Sequence, residues 1–383
     1  GGNLLAAVGS SLGASSFLGE SVTVNYLNRP LPYSHQYSFD IERELPGNMV
    51  AEVAYVGNIT KKLPISANQN VLPVNELGRV TSTGAVDTAY YSARIANPMQ
   101  GLIPNNATLN GATIPRQNLL YPFPQYNQVT VANAPIGSQR YDGFQAKVSK
   151  RMGYGLTFLA SYGVGKTLEK VTLLNQQDFN LTNIDSSVLE KRSANQIDLP
   201  QKFTIAGVYD LPFGKGRPVG SNWNRAADMV AGGWTLNWNV TYQSGWAVDY
   251  PNAPQVAAGS AKLSSGEQSL DRWFNTGLWT NPATGRPVPR AETTYALRNF
   301  PTLFSDVRVP GYQNWDISAA KNFPIHEQIR LQFRFEMVNA FNRPWYTGLI
   351  GGGNDVTNAN FGRLNFVQGN LPRFIKLNLH LYF

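Results

Sequence analysis

The last twelve residues, 372–383, restrict this chain more than any other stretch. Ile375, Leu377, Leu379, Leu381 and Phe383 alternate with Lys376, Asn378, His380 and Tyr382. A period of two is that of a β-strand with two unlike faces. One face calls for hydrocarbon, and the other tolerates water and charge. From Phe374 on, the stretch lacks the shortness or proline that usually protects a sheet edge in water, and its charge lies only on the polar face. Such a strand has to be paired along its edge and covered on its apolar face. A closed transmembrane barrel, with lipid outside and water inside, meets both demands, because a bilayer offers the backbone no hydrogen bonds.

The same alternation recurs upstream. In 33–45, Tyr37, Phe39 and Ile41 oppose Ser38, Asp40 and Glu42; in 49–58, Ala51, Val53 and Tyr55 flank Glu52. Residues 140–151 set Phe144, Ala146 and Val148 against Gln145, Lys147 and Ser149, and 155–165 return with Leu156, Phe158, Ala160 and Tyr162. Further strands are predicted at 199–211, 234–243, 311–322 and 328–339. The last of these opposes Ile329, Leu331, Phe333, Phe335 and Met337 to Arg330, Gln332, Arg334 and Glu336. Short or compact connections fall at 46–48, 152–154, 212–232 (with a short helix over 222–230) and 323–327. Long ones fall at 1–32, 59–139, 166–198, 247–310 and 340–371. Tight periplasmic turns alternating with long external loops are the rhythm of an up-and-down antiparallel transmembrane barrel. The strand count is about nine. Single-chain bacterial barrels are even-numbered, so the chain is expected to be part of a larger barrel with earlier strands upstream.

Alternation by itself also suits a soluble β-sandwich, with core on one side and water on the other. Three features favour the membrane. The apolar face is bulky over about nine to eleven positions, enough for a tilted strand to cross a bilayer. Aromatics gather near strand ends as interfacial girdles: Tyr209, Phe213, Trp234, Phe323 and Phe383 at one, Tyr141, Tyr242, Trp246, Trp315 and Phe374 at the other. The opposite face carries Lys147, Arg330, Arg334, Glu336 and Lys376, which suit a wet lumen.

Composition agrees. Only 15% of residues are charged and 12% are aromatic, with 35 Gly and 24 Pro, a turn-rich all-β profile. No apolar run approaches the roughly 18–20 residues of a transmembrane helix. The absence of cysteine removes disulfides and thiolate metal sites. The formal charge of +8 is spread along the chain rather than clustered, which argues against nucleic acid as a partner. Residues 1–5 carry no secretory signal, so an envelope protein with this start is expected to be a fragment.

Several stretches resemble the C-terminal barrel of Oar-like TonB-dependent receptors of the bacterial outer membrane. They begin with the run from Gln36 to Asn48, the run from Glu52 to Gly57, and the run from Pro115 to Gln125. The run from Tyr141 to Arg151 follows, then Leu211-Pro-Phe-Gly-Lys-Gly216, Gly233-Trp-Thr-Leu236, Gln243-Ser-Gly245 and Arg272-Trp-Phe-Asn275. Asn314-Trp-Asp-Ile-Ser318, the run from Phe335 to Asn342 and the aromatic terminus complete the series. Their order and spacing carry the likeness. It implies a plugged barrel of the roughly 22-stranded class that captures a ligand outside and imports it with energy from the inner-membrane TonB complex. The implied partners are outer-membrane lipid, the barrel-assembly machinery reading Phe383, a plug domain and, through it, TonB. The cargo is an unidentified small or oligomeric ligand, with siderophores and carbohydrates among the classes to consider. The N-terminal extension, coupling box, plug and early strands of that family are not in this sequence.

Other chemistry is weakly signalled. The run from Ala160 to Thr167 approximates a phosphate-binding loop, and 168–177 could supply its helix, but the preceding strand is two-faced and ends a tight hairpin. His35, His326 and His380 lack paired-ligand spacing. No nucleophile–base set stands out, so neither an enzyme nor a cofactor is expected. Lys147, Arg330, Arg334, Glu336 and Lys376 are candidates for a solvated lumen wall, or for contact with a plug or an anionic ligand. Tyr90, Tyr91, Tyr121, Trp273, Phe274 and Trp279 fall in external loops, where they can stack on a sugar or peptide or pack on one another. A passive porin or adhesin-type barrel and a soluble β-rich secreted binding protein remain the alternatives to a receptor.

Overall fold

Two tight turns set the first hairpins. Gly47 and Asn48 both take positive φ (82° and 60°), as do Tyr154 and Gly155 (54° and 78°). That left-handed backbone matches the twist of the strands that follow. The computed structural model describes residues 11, 13–82, 86–179, 185–194, 197–250, 257–281, 286–287, 295–326 and 329–383. Nine antiparallel strands form the wall: β1 (Tyr33–Leu45), β2 (Met49–Asn68), β3 (Gln128–Gly153), β4 (Leu156–Lys170), β5 (Gln201–Asp210), β6 (Trp234–Gln243), β7 (Tyr312–His326), β8 (Ile329–Val338) and β9 (Phe374–Tyr382). Each pairs with its sequence neighbour, so the order is simply up and down. Two short segments complete an eleven-stranded sheet: Ser21–Asn25 runs parallel to β3, and Arg192–Ser193 pairs with β4. Among the described residues β1 and β9 do not pair with each other, and the barrel is not closed.

Register fixes the faces. Residues directly opposite across a ladder share a face, and one chain of partners runs from β1 to β7: Glu42, Glu52, Lys147, Ser161, Thr204, Thr241 and Asn314. At the other edge Ser318, Glu336 and Lys376 continue the same polar face. The reverse face is apolar and uncovered. Phe39, Leu377 and Leu379 each keep 65–67% of their surface exposed. In water this arrangement would be inside out; against hydrocarbon it is not.

The strands run further than alternation alone suggests. β2 and β3 continue to Asn68 and back to Gln128, well inside the stretch 59–139 expected to be loop. Register shifts at Lys61, Leu63 and Ile65 bulge this extension, and Lys62 and Asn133 take positive φ (60° and 63°). There Ile65, Ala67, Val131 and Ala134 are buried against Leu173, Phe179 and Leu189 from the next loop. Two other expectations are corrected. Phe323 to His326 stay in β7 rather than forming the turn expected over 323–327, of which Glu327 lies outside the described residues. The tip of the second hairpin is Tyr154 and Gly155, displaced slightly from 152–154.

The compact connection between β5 and β6 carries a helix at Arg225–Ala231, close to the expected 222–230. It is capped by the Asn224 side chain, which accepts from the Ala227 N–H at 2.8 Å. Gly163 to Thr167 lie within antiparallel β4, which continues to Lys170, and 168–177 form no α-helix, only entering a single 3-10 turn at Gln176–Asp178. The phosphate-loop likeness therefore has neither the parallel strand nor the helix it needs.

Candidate functional site

The polar face is the first half of the site. The Lys147 ammonium meets the Glu52 carboxylate at 3.0 Å, and the Ser161 and Thr204 hydroxyls are 2.6 Å apart. These groups line a recess of about 450 Å³ with Tyr141 and Lys202. At the other edge the Arg334 guanidinium lies 3.5 Å from Glu336, to which Asn378 donates at 3.2 Å. The Arg330 guanidinium stacks 4.6 Å from the centre of the Tyr382 ring. Lys376 stands opposite Glu336 in register. Register thus brings all five expected lumen residues to one face, in two groups at opposite ends of the wall. Tyr141 and Phe374, expected in the lipid girdle, belong to this polar face instead, because Tyr141 shares the parity of Lys147 and Phe374 that of Lys376. Tyr141 covers Gly143 and Gly165, where an added Cβ would come within 2.9 Å of its ring or hydroxyl. The outer apolar girdle retains Tyr242 and Trp315, joined by an indole N–H donated to the Tyr242 hydroxyl at 3.0 Å.

The second half is a cap built from the long loops. Its largest core packs Trp279 against Phe300 (4.8 Å between ring centres), Tyr250 (5.6 Å), Phe361 (5.8 Å) and Phe274 (5.9 Å). A second core stacks Tyr91 on Tyr295 at 4.2 Å, drawing together loop segments more than 200 positions apart. The last loop is pinned at its base by Asn339. Its amide donates to the carbonyls of Arg343 (3.1 Å) and Leu371 (3.0 Å) and accepts from the Arg343 N–H (2.9 Å).

A buried charge cluster fastens this cap to the wall. The Asp198 carboxylate, 1% exposed, accepts from Lys166 Nζ and the Thr167 N–H, both at 2.8 Å, and from the Arg308 guanidinium. Arg308 also donates to the carbonyls of Asp198 (2.8 Å) and Gly245 (3.0 Å). Beside it Arg192 pairs with Glu169 at 2.9 Å and donates to the Thr302 hydroxyl at 2.6 Å. Burial alone would raise the Asp198 carboxyl; the hydrogen bonds from Lys166, Thr167 and Arg308 outweigh it and hold the group below the usual carboxylate range. These residues come from two loops and the top of β4, which is why sequence reading did not assemble them. The signal that could have found them is the acid and base content at the edges of two long loops.

The loop aromatics divide. Tyr91, Phe274 and Trp279 are wholly buried, so they build the cap and present no ring face to a ligand. Trp273 is half-buried and donates its indole N–H to the Arg308 carbonyl at 2.8 Å. Tyr121 packs beside the Tyr91 core. Tyr90 lies between the Arg79 and Arg116 guanidinium groups, 4.0 and 4.3 Å from its ring centre. Phe383 is almost fully exposed at the end of β9.

The family model described as outer membrane beta barrel domain matches residues 4–376. No curated protein matches the chain. Among solved structures it is similar to the outer membrane transporter YddB from Escherichia coli, at 10% identity and a TM-score of 0.41 over 96% of this chain and 35% of that one. The FrpB iron transporter from Neisseria meningitidis (F3-3 variant) aligns at 11% identity and 0.37, over 94% and 32%. FpvAI in its complex with pyocin S2 aligns at 10% and 0.39, over 92% and 28%. The chain thus spans only about a third of the solved chains it matches.

Proposed function

Since this chain belongs to the family of outer-membrane β-barrel domains and lies in the bacterial outer membrane, we propose that it is the C-terminal wall and loop cap of an Oar-like TonB-dependent receptor. In this reading the external loops capture a ligand. A plug domain, encoded elsewhere in the full protein, fills the lumen against the polar face and opens when TonB pulls on it. The observation that carries the reading is the pairing of a polar wall with an ordered external cap. A simple pore needs the wall but not an extensive, cross-braced roof. The mixed charges of the wall, Glu52 with Lys147 and Arg334 with Glu336, suit a reversible polar contact with a plug better than selection of one ion sign.

Liposome swelling with the full-length protein tests this reading against a passive porin. A plugged receptor is expected to admit no arabinose in the absence of TonB. Rapid swelling in arabinose would establish an open pore in its place.

A further inference from the structure

The connection between β5 and β6, residues 211–233, is larger than a periplasmic turn needs to be, and import gives it no task. Its helix, Arg225–Ala231, is held on the lipid side of the wall. The Trp234 indole donates to the Val230 carbonyl at 2.9 Å. Lys321, 3% exposed, donates to the carbonyl of Asp228 at 2.9 Å and to that of Gly232, and sits over the Trp234 and Phe323 rings. Lys321 stands opposite Trp234 and Phe333 in register, so it belongs to the outward apolar face. The helix therefore lies where the wall meets the inner-leaflet headgroups.

A recess of about 410 Å³ opens between this helix, the Leu211-Pro-Phe-Gly-Lys-Gly216 turn and the end of β7. Lys215, Arg217 and Arg225 line it; all three are exposed, and none is ion-paired among the described residues. The single acid at the recess, Asp228, is already engaged, accepting from the Lys215 backbone N–H at 2.7 Å. Beside these cations Phe213, Met229 and Val230 leave 37%, 52% and 74% of their surface uncovered. A cluster of cations next to bare apolar side chains at a leaflet boundary fits a molecule with an anionic head and hydrocarbon tails.

We propose that this recess binds the phosphate of an anionic phospholipid from the periplasmic leaflet, with Lys215, Arg217 and Arg225 around the headgroup and Phe213, Met229 and Val230 along the acyl chains. The bare apolar residues commit the site to a lipid over free phosphate. The proposal uses the family's membrane setting and is independent of whether the barrel imports anything.

Native mass spectrometry of the full-length protein in detergent, titrated with dioleoyl phosphatidylglycerol or dioleoyl phosphatidylcholine, tests it. The protein is expected to retain phosphatidylglycerol in preference to phosphatidylcholine. The variant Lys215→Gln/Arg217→Gln/Arg225→Gln should bind phosphatidylglycerol roughly tenfold more weakly. Its heat-dependent gel shift reports that the barrel is folded; should the triple variant not fold, Arg217→Gln alone is expected to lower retention roughly threefold. Excess inorganic phosphate should leave the bound lipid in place. Equal retention of the two lipids, unchanged retention by the folded variants, or displacement by inorganic phosphate would each overturn the proposal.

Discussion

The wall and the cap bury their apolar residues in opposite directions. In the wall, Phe39, Leu377 and Leu379 point away from the protein, and the polar residues turn inward on one another. In the cap, Trp279, Phe274 and Tyr91 are sealed inside and polar groups cover them. A single hairpin contains both regimes. Along β2, Val53 and Tyr55 are exposed, while Ile65 and Ala67 twelve residues on are buried against a loop. The driving force is the same removal of apolar surface from water. Only the solvent changes along the strand, from hydrocarbon to water, and the side chains change their direction of burial with it.

Three substitutions, with His380→Ala as the control for the second, separate the regimes in falling order of effect. Trp279→Ala should cost the cap about 3–5 kcal/mol, because a large ring leaves a cavity that its aromatic neighbours fill only in part. Hydrogen exchange is expected to rise across 257–281 and 295–310, while strand amides stay protected. Uniform loss of protection would mean that cap and wall fold as one unit. Leu379→Arg should cost about 2–4 kcal/mol of barrel stability at the bilayer midplane, and His380→Ala, one residue on but facing inward, less than about 0.5 kcal/mol. Urea unfolding in lipid vesicles reads both; equal losses would sink the face assignment.

Of the three, the substitution at the joint has the smallest effect. Asp198→Asn should loosen the cap by about 1–3 kcal/mol, since Lys166 and Arg308 lose the carboxylate they share. The same group makes the joint sensitive to acid. Its carboxyl is held below the ordinary value of about 3.9, so its contribution is complete above that pH and is lost as pH falls through the lowered value. Exchange protection in residues 185–194 and 302–309, relative to the intrinsic rate at each pH, should therefore fall below about pH 4. Asp198→Asn should flatten that dependence, and a variant that kept it would place the acid-sensitive group elsewhere.

Much of the wall was legible because a strand at a lipid–water boundary writes its two faces into alternate residues. Trp234 to Gln243 were bounded correctly, and Lys147, Arg330, Arg334, Glu336 and Lys376 were all assigned to the face that register gives them. The extension of β2 beyond Asn58 was harder to read. Ile59, Leu63, Ile65 and Ala67 keep the period, but Lys61, Lys62 and Pro64 break the pattern of a membrane strand where the chain leaves the bilayer. Tyr141 and Phe374 were misplaced because an aromatic near a strand end suits either face, and parity must be counted through the partner strands.

By itself, then, the sequence determined the strands, their two faces and the alternation of compact and long connections, since these follow from local periodicity and turn chemistry. Tertiary structure alone decided the Asp198 joint, the burial of Trp279 and Tyr91, and the outward seating of the 225–231 helix. Each depends on groups far apart in the chain arriving at one place, and no local pattern encodes such a meeting.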